Sequence, residues 1–200
     1  MDKNRLEAFS DGIIAIIITI MVLELRVPHG HGGSLAVLKP LIPVFFSYVL
    51  SYIYLGIYWS NHHHLFKAVH RINGRILWAN LLLLFWLSLI PFTTAWVGVN
   101  HMESWPVALY GVILLLAAIS YSVLTRSLIS HHGRNSLLAK AVGKDEKGNL
   151  SVVLYAAAIP LAFINTWISC AMYILVAVMW MVPDERIEKI IEELKQEGKD

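Results

Sequence analysis

The chain has 200 residues, 57% of them hydrophobic and 15% charged, with a formal net charge of +2. Segments 40–66, 76–102, 104–125 and 148–183 contain no Asp, Glu, Lys or Arg, and apolar runs of that length are membrane spans, which excludes a soluble core and leaves no room for a separate soluble domain. A single cysteine, Cys170, excludes an intrachain disulfide framework, and nucleic acid is not an expected partner.

The first span is expected at 6–27. It opens Arg5-Leu-Glu-Ala-Phe9-Ser10-Asp11-Gly12, which puts a carboxylate and a hydroxyl inside an otherwise apolar helix. A charge at membrane depth costs at least a few kcal/mol, so Asp11 should be paired or should line a path for water or ions. Glu24 and Arg26 follow the apolar run where a small-residue cleavage site would stand, so this helix is expected to stay in the mature protein. At about 100° per residue, Gly12, Ile16, Ile20 and Leu23 share one stripe with Thr19 on its edge, and Asp11 lies roughly 140° from Ile16. Ala8 and Ala15 give neighbouring helices room for close approach. Periodicity alone leaves open whether the stripe faces lipid, core or a pore.

His29 and His31 sit in the following Gly-rich loop, where weak metal binding or pH sensing is conceivable chemistry. The second span, 40–62, closes with Trp59-Ser-Asn-His62-His63-His64-Leu-Phe66, and the third, 76–98, carries Asn80 about one turn inside the same boundary as Asp11. Consecutive histidines on a helix diverge by about 100° and cannot converge on one ion, so no metal site is expected. A buried network in which Asp11 accepts from Ser10, an imidazole and the Asn80 amide would satisfy these groups and fix how three helices pack.

The fourth span is expected at 105–126. Residues 148–183 are uncharged throughout, yet as one helix they would reach about 54 Å against a hydrocarbon core of about 30 Å. Pro160 and Asn165 offer a break, giving spans at 148–164 and 166–183. Six spans make 1–183 a single transmembrane domain, followed by a charged helical tail over 184–200. With six spans, 14 of the 16 Lys and Arg residues fall on one side, leaving Arg26 and Lys39 on the other. The positive-inside rule then makes both termini cytoplasmic. Trp96, Trp105 and Trp167 fall near the outer interface and Trp59 and Trp180 near the inner one, as an aromatic belt would have them. No nucleophile elbow, H-E-x-x-H, phosphate-cradling loop or CxxC is present, so an enzyme is not expected.

Arg5-x-x-x-Phe9-Ser10-Asp11, Trp59-x-x-His62-His63-x-x-Phe66, and Asn80 leading through a Leu-rich run to Pro91-Phe92 resemble the transmembrane protein 175 family of lysosomal and prokaryotic potassium channels. The resemblance spans nearly the whole membrane domain, and one six-helix repeat is similar to the prokaryotic type. It implies an all-α polytopic homotetramer in the plasma membrane whose pore is lined by four copies of the first helix. It further implies that Ile16 forms the constriction, that Ile20 and Leu23 form the next apolar layers, and that Thr19 influences ion preference. Arg5, Phe9, Ser10, Asp11, Trp59, His62, His63 and Asn80 become a structural network. The filter T-V-G-Y-G is absent, so a carbonyl ring cannot select the ion. An apolar neck closes instead by excluding water, and potassium, which gives up water more readily than sodium, is the favoured cation. Glu24, repeated around the outer mouth, would concentrate cations. Potassium and other monovalent cations, membrane lipids and three further copies are the implied partners, with no cofactor beyond the permeant ion. A proton- or ion-coupled transporter using Asp11 and the histidines as a relay is the alternative.

Overall fold

The computed structural model describes residues 2–26, 35–69, 71–133, 136–143 and 145–181. The loop histidines His29 and His31 and the tail 184–200 lie outside the described residues.

Eight α-helices make up the described architecture. α1, Lys3–Met21, starts where the Asp2 carboxylate accepts from the Asn4 N–H, and ends in a 3-10 turn over Val22–Glu24. A 3-10 segment, Leu35–Leu41, leads into α2, Ile42–Lys67. The expected third span is divided into α3, Gly74–Ser88, and α4, Ile90–Val99. Pro91 lacks an N–H and so suits the first turn of a new helix, which places the break at Leu89. α5, Ser104–His132, runs beyond the expected boundary at 126 and stops at Gly133, whose φ of +93° suits a residue without a Cβ. A short helix not anticipated from the sequence, α6 at Leu137–Val142, is capped by Ser136. α7, Glu146–Leu161, and α8, Thr166–Met181, follow. Pro160 lies inside the last turn of α7, and the reversal is made by 162–165, where the Asn165 side chain accepts from the Trp167 N–H at 2.9 Å.

Among the described residues, four helical segments are long and apolar enough to cross a membrane: Lys3–Glu24, Leu35–Lys67, Gly74–Val99 and Ser104–His132. α7 and α8 have 16 residues each, about 24 Å of helix at 1.5 Å per residue.

α5 is the centre of the bundle, packed on α3, α4, α7 and α8, while α1 lies at the edge against α2, α3 and α4. Two glycines set the closeness of the packing. A Cβ at Gly98 of α4 would lie 2.7 Å from the Val44 Cα of α2, and one at Gly111 of α5 would meet the Tyr173 hydroxyl of α8. Buried hydroxyls bind the helices further, since an apolar surround gives them no water to turn to. Ser51 of α2 bonds Thr94 of α4 at 2.6 Å and Tyr110 of α5 at 2.9 Å. Ser169 of α8 donates to the Ala158 carbonyl of α7 at 2.7 Å.

Candidate functional site

The first helix has two chemically different sides. Leu6, Ser10, Ile14, Ile17 and Met21 are buried against the rest of the chain, at i, i+4, i+8, i+11 and i+15 spacing, which is one helical face. Ile16, Ile20 and Leu23 are 57%, 46% and 68% exposed. Arg5, Phe9, Gly12 and Thr19 are exposed with them, so the stripe is a continuous unpartnered surface along the whole helix. Outward apolar side chains on a membrane helix are ordinary. A stripe that is backed by a fully buried polar contact on the same helix is less so.

That contact starts at Ser10. Its hydroxyl donates to the Leu6 carbonyl at 2.8 Å, a bond within α1. With that proton committed, the Ser10 oxygen accepts from the Asn80 amide Nδ2 of α3 at 2.9 Å. Asn80 then presents its Oδ1 to the His62 Nε2 of α2 at 2.8 Å, so the imidazole carries its proton on Nε2 and donates. Ser10, Asn80 and His62 are all fully buried, and His62 also stacks on Phe66 with ring centroids 4.4 Å apart. Three helices are thereby joined through an ordered run of donors and acceptors that favours one helix register, although the buried His62 Nδ1 at its end has no hydrogen-bond partner among the described residues.

Asp11 stands beside this run rather than in it. Its Oδ1 accepts from the Trp59 indole Nε1 of α2 at 3.1 Å, and Ser10, expected to donate to it, donates instead to its own helix. One turn earlier, Glu7 lies 3.3 Å from the His63 Nδ1 and 3.9 Å from the Lys3 ammonium. Trp59 and His63 stack with centroids 6.1 Å apart. The two helices meet in antiparallel register: four residues forward on α1, from Glu7 to Asp11, correspond to four residues back on α2, from His63 to Trp59. Glu7 was missed in the sequence reading, although its i,i+4 relation to Asp11 and that of Trp59 to His63 were visible. Arg5 and Phe9 are exposed and lie on the stripe side, away from the Ser10–Asn80–His62 contact.

Toward the C-terminal end of α1, Ile16, Ile20 and, from the following 3-10 turn, Glu24 border an open groove whose other wall is Pro91, Trp96 and Asn100 from α4 and its end. The α3–α4 break thus shapes the space beside the stripe.

Comparison with known proteins shows which chains this one is similar to. The family model described as endosomal/lysosomal potassium channel TMEM175 matches residues 5–91, from the motif arginine to Pro91. A protein of Chryseobacterium sp. (strain P1-3), named a potassium channel, is 51% identical over 96% of this chain and 100% of its own. The crystal structure of a lysosomal potassium-selective channel TMEM175 homolog from Chamaesiphon minutus superposes with a TM-score of 0.78 at 30% identity, covering 91% of this chain and 97% of that one. The mouse endosomal/lysosomal proton channel TMEM175 is 29% identical over 83% of this chain, which spans 36% of that protein's length.

Proposed function

This chain belongs to the TMEM175 channel family, and from that premise we propose that it is a potassium channel whose pore is lined by α1 and closed by apolar side chains. The observation that carries the reading is the exposed stripe of Ile16, Ile20 and Leu23 on a helix whose other side is buried and pinned through Ser10. One chain supplies one such helix, and a single helix cannot enclose a conduit. Closed rotational symmetry is then required, and four copies satisfy it with the stripes facing inward.

In this arrangement Ile16 forms the narrowest ring, followed outward by Ile20 and Leu23. A neck of branched apolar side chains offers a cation nothing in exchange for its hydration shell, so it holds the pore shut by dewetting and opens on slight widening or twist. Thr19, whose hydroxyl donates to the Ile16 carbonyl at 2.9 Å, keeps oxygen lone pairs available beside the neck and assists the less tightly hydrated potassium. Glu24 raises the local cation concentration at the outer mouth. The Ser10–Asn80–His62 contact and the Asp11–Trp59 bond hold α1 at a fixed rotation, so that the same stripe faces the axis in every subunit. Six crossings, with α7 and α8 as the short final pair, both termini cytoplasmic and a plasma-membrane location complete the proposal.

Recording of purified protein in planar bilayers tests it. Under a potassium gradient, resolvable single-channel steps reversing nearer the potassium than the sodium equilibrium potential are expected. Flux without unitary steps would support the coupled-transporter alternative and overturn the channel.

A further inference from the structure

A second groove, to which no residue of α1 contributes, opens between α2 and α8. Its walls include Phe46 and Ile53 of α2 and Trp167 and Ile174 of α8, and its floor is Val107 and Tyr110 of α5, both buried. Phe46, Trp167 and Ile174 are exposed, so the groove opens sideways from the bundle. Its volume of about 580 Å³ falls within the range of about 300–1,000 Å³ that ligand sites occupy.

The chemistry of the lining is hydrocarbon. Three hydroxyls belong to it, those of Ser47, Tyr110 and Tyr173, and each commits its proton within the protein. Ser47 donates to the Val44 carbonyl at 2.9 Å and Tyr173 to the Val107 carbonyl at 3.1 Å. Thr94 donates to the Ile90 carbonyl at 2.7 Å, so Ser51 donates to Thr94 and Tyr110 to Ser51. Among the described residues no Asp, Glu, Lys, Arg or His lines the groove.

Length selects the occupant. Phe46 to Ile53, and Trp167 to Ile174, each span seven residues, about 10 Å of helix at 1.5 Å per residue. A helix of a second copy would cross the whole hydrocarbon core of about 30 Å, three times that length, whereas a lipid acyl chain fills one leaflet of about 15 Å. α2 and α8 run parallel, since the Tyr54 hydroxyl donates to the Tyr173 carbonyl and, further along, Asn61 and Trp180 border one groove. Phe46 and Trp167 therefore stand at the same end, where an indole suits headgroup depth. Beyond that end Lys39 is exposed on the 3-10 segment, seven residues before Phe46, a cation at the level of a lipid phosphate. We propose that this groove is a phospholipid site in each chain, one acyl chain lying between α2 and α8 with its phosphate at Lys39.

The detergent-solubilised assembly, titrated with a phosphatidylglycerol that carries a diazirine on one acyl chain and then irradiated, tests the site by peptide mapping. Conduction is not required, so a failure of the channel reading leaves the site standing. Adducts are expected to saturate, to concentrate on residues 46–53 and 167–174, and to be displaced by unlabelled phosphatidylglycerol. Ala171→Trp, which places an indole in the groove, should weaken half-saturation about tenfold. Lys39→Gln should weaken it about fivefold, the effect of one lysine at an anionic headgroup, and leave labelling by a diazirine-tailed diacylglycerol, which has no phosphate, unchanged. Being exposed, that second substitution decides the matter if Ala171→Trp fails to assemble. The proposal is overturned if the groove is unlabelled, as it would be beneath a second copy, or is labelled no more densely than the exposed Trp78, Leu82 and Phe85 of α3. It is equally overturned if assembled Ala171→Trp labels as the parent does, or if Lys39→Gln affects both probes alike or neither.

Discussion

Ile16 is where a single side chain has most leverage. It is exposed on the stripe and lies five positions beyond Asp11, so in a symmetric ring it recurs at the axis. An amide there would hydrate the proposed neck, which branched hydrocarbon would otherwise keep dry. Ile16→Asn should therefore raise basal cation flux in proteoliposomes while leaving assembly unchanged, and flux equal to the parent would put the gate elsewhere. Asn80 has the opposite character, since it is fully buried and carries both interhelical bonds of the contact. Replacing it with Leu leaves the His62 Nε2–H without its acceptor, at a cost of about 1–3 kcal/mol for a buried unsatisfied donor. The expected result for Asn80→Leu is a lower unfolding midpoint with unitary conductance unchanged in whatever assembles. Altered conductance at unchanged stability would mean that the amide lies in the conduction path.

At the scale of elements, α1 and α2 are matched like two rungs of a ladder, Glu7 with His63 and Asp11 with Trp59. Because Asp11 is charged and accepts an indole N–H, its bond belongs to the stronger class of about 1.5–3 kcal/mol. A double-mutant cycle on unfolding free energy with Asp11→Ala and Trp59→Phe should show coupling of that order, and additive effects would show the bond to be idle. Gly98 sets the spacing of another pair. With a Val44 backbone atom where its Cβ would go, Gly98→Ala must push α4 from α2, and a loss of about 1–3 kcal/mol, as for overpacked cores, is expected in the same assay. These pairings show what the sequence could and could not disclose. The stripe of α1 and the polar positions Ser10, Asp11, His62 and Asn80 were legible because polar residues inside apolar runs are conspicuous. Their wiring was not, because a hydroxyl at i can bond its own i−4 carbonyl, and only the helix register decides whether Asn80 meets Ser10 or Asp11. The break at Leu89 was obscured for a similar reason: Pro91 signals either a kink within one span or the start of a new helix, and the hydropathy is the same for both. The hydroxyls of Ser51, Thr94 and Tyr110 were invisible as a group, being 43 and 59 residues apart from Ser51 in the chain.

For the whole molecule, the asymmetry of the bundle bears on assembly. α5 is enclosed by α3, α4, α7 and α8, whereas α1 sits at the edge with its stripe uncovered from Arg5 to Leu23. In lipid there is no hydrophobic force to drive such a face onto another copy, so association must come from close packing and polar contacts. In the proposed ring, Gly12, Ala8 and Ala15, all exposed, are small residues that would let α1 helices approach near their N-terminal half, while Ile16, Ile20 and Leu23 would hold them apart beyond it. A ring that is tight through small residues at one level and separated by branched side chains at the next tolerates bulk poorly at the small positions. Gly12→Leu should therefore break the assembly. Native mass measurement in mild detergent is expected to give four chains for the parent, close to four times 22.6 kDa, and mainly smaller species for Gly12→Leu. A parent that is monomeric or dimeric yet still conducts would overturn the shared pore, because the conduit would then have to run within one bundle, past α5.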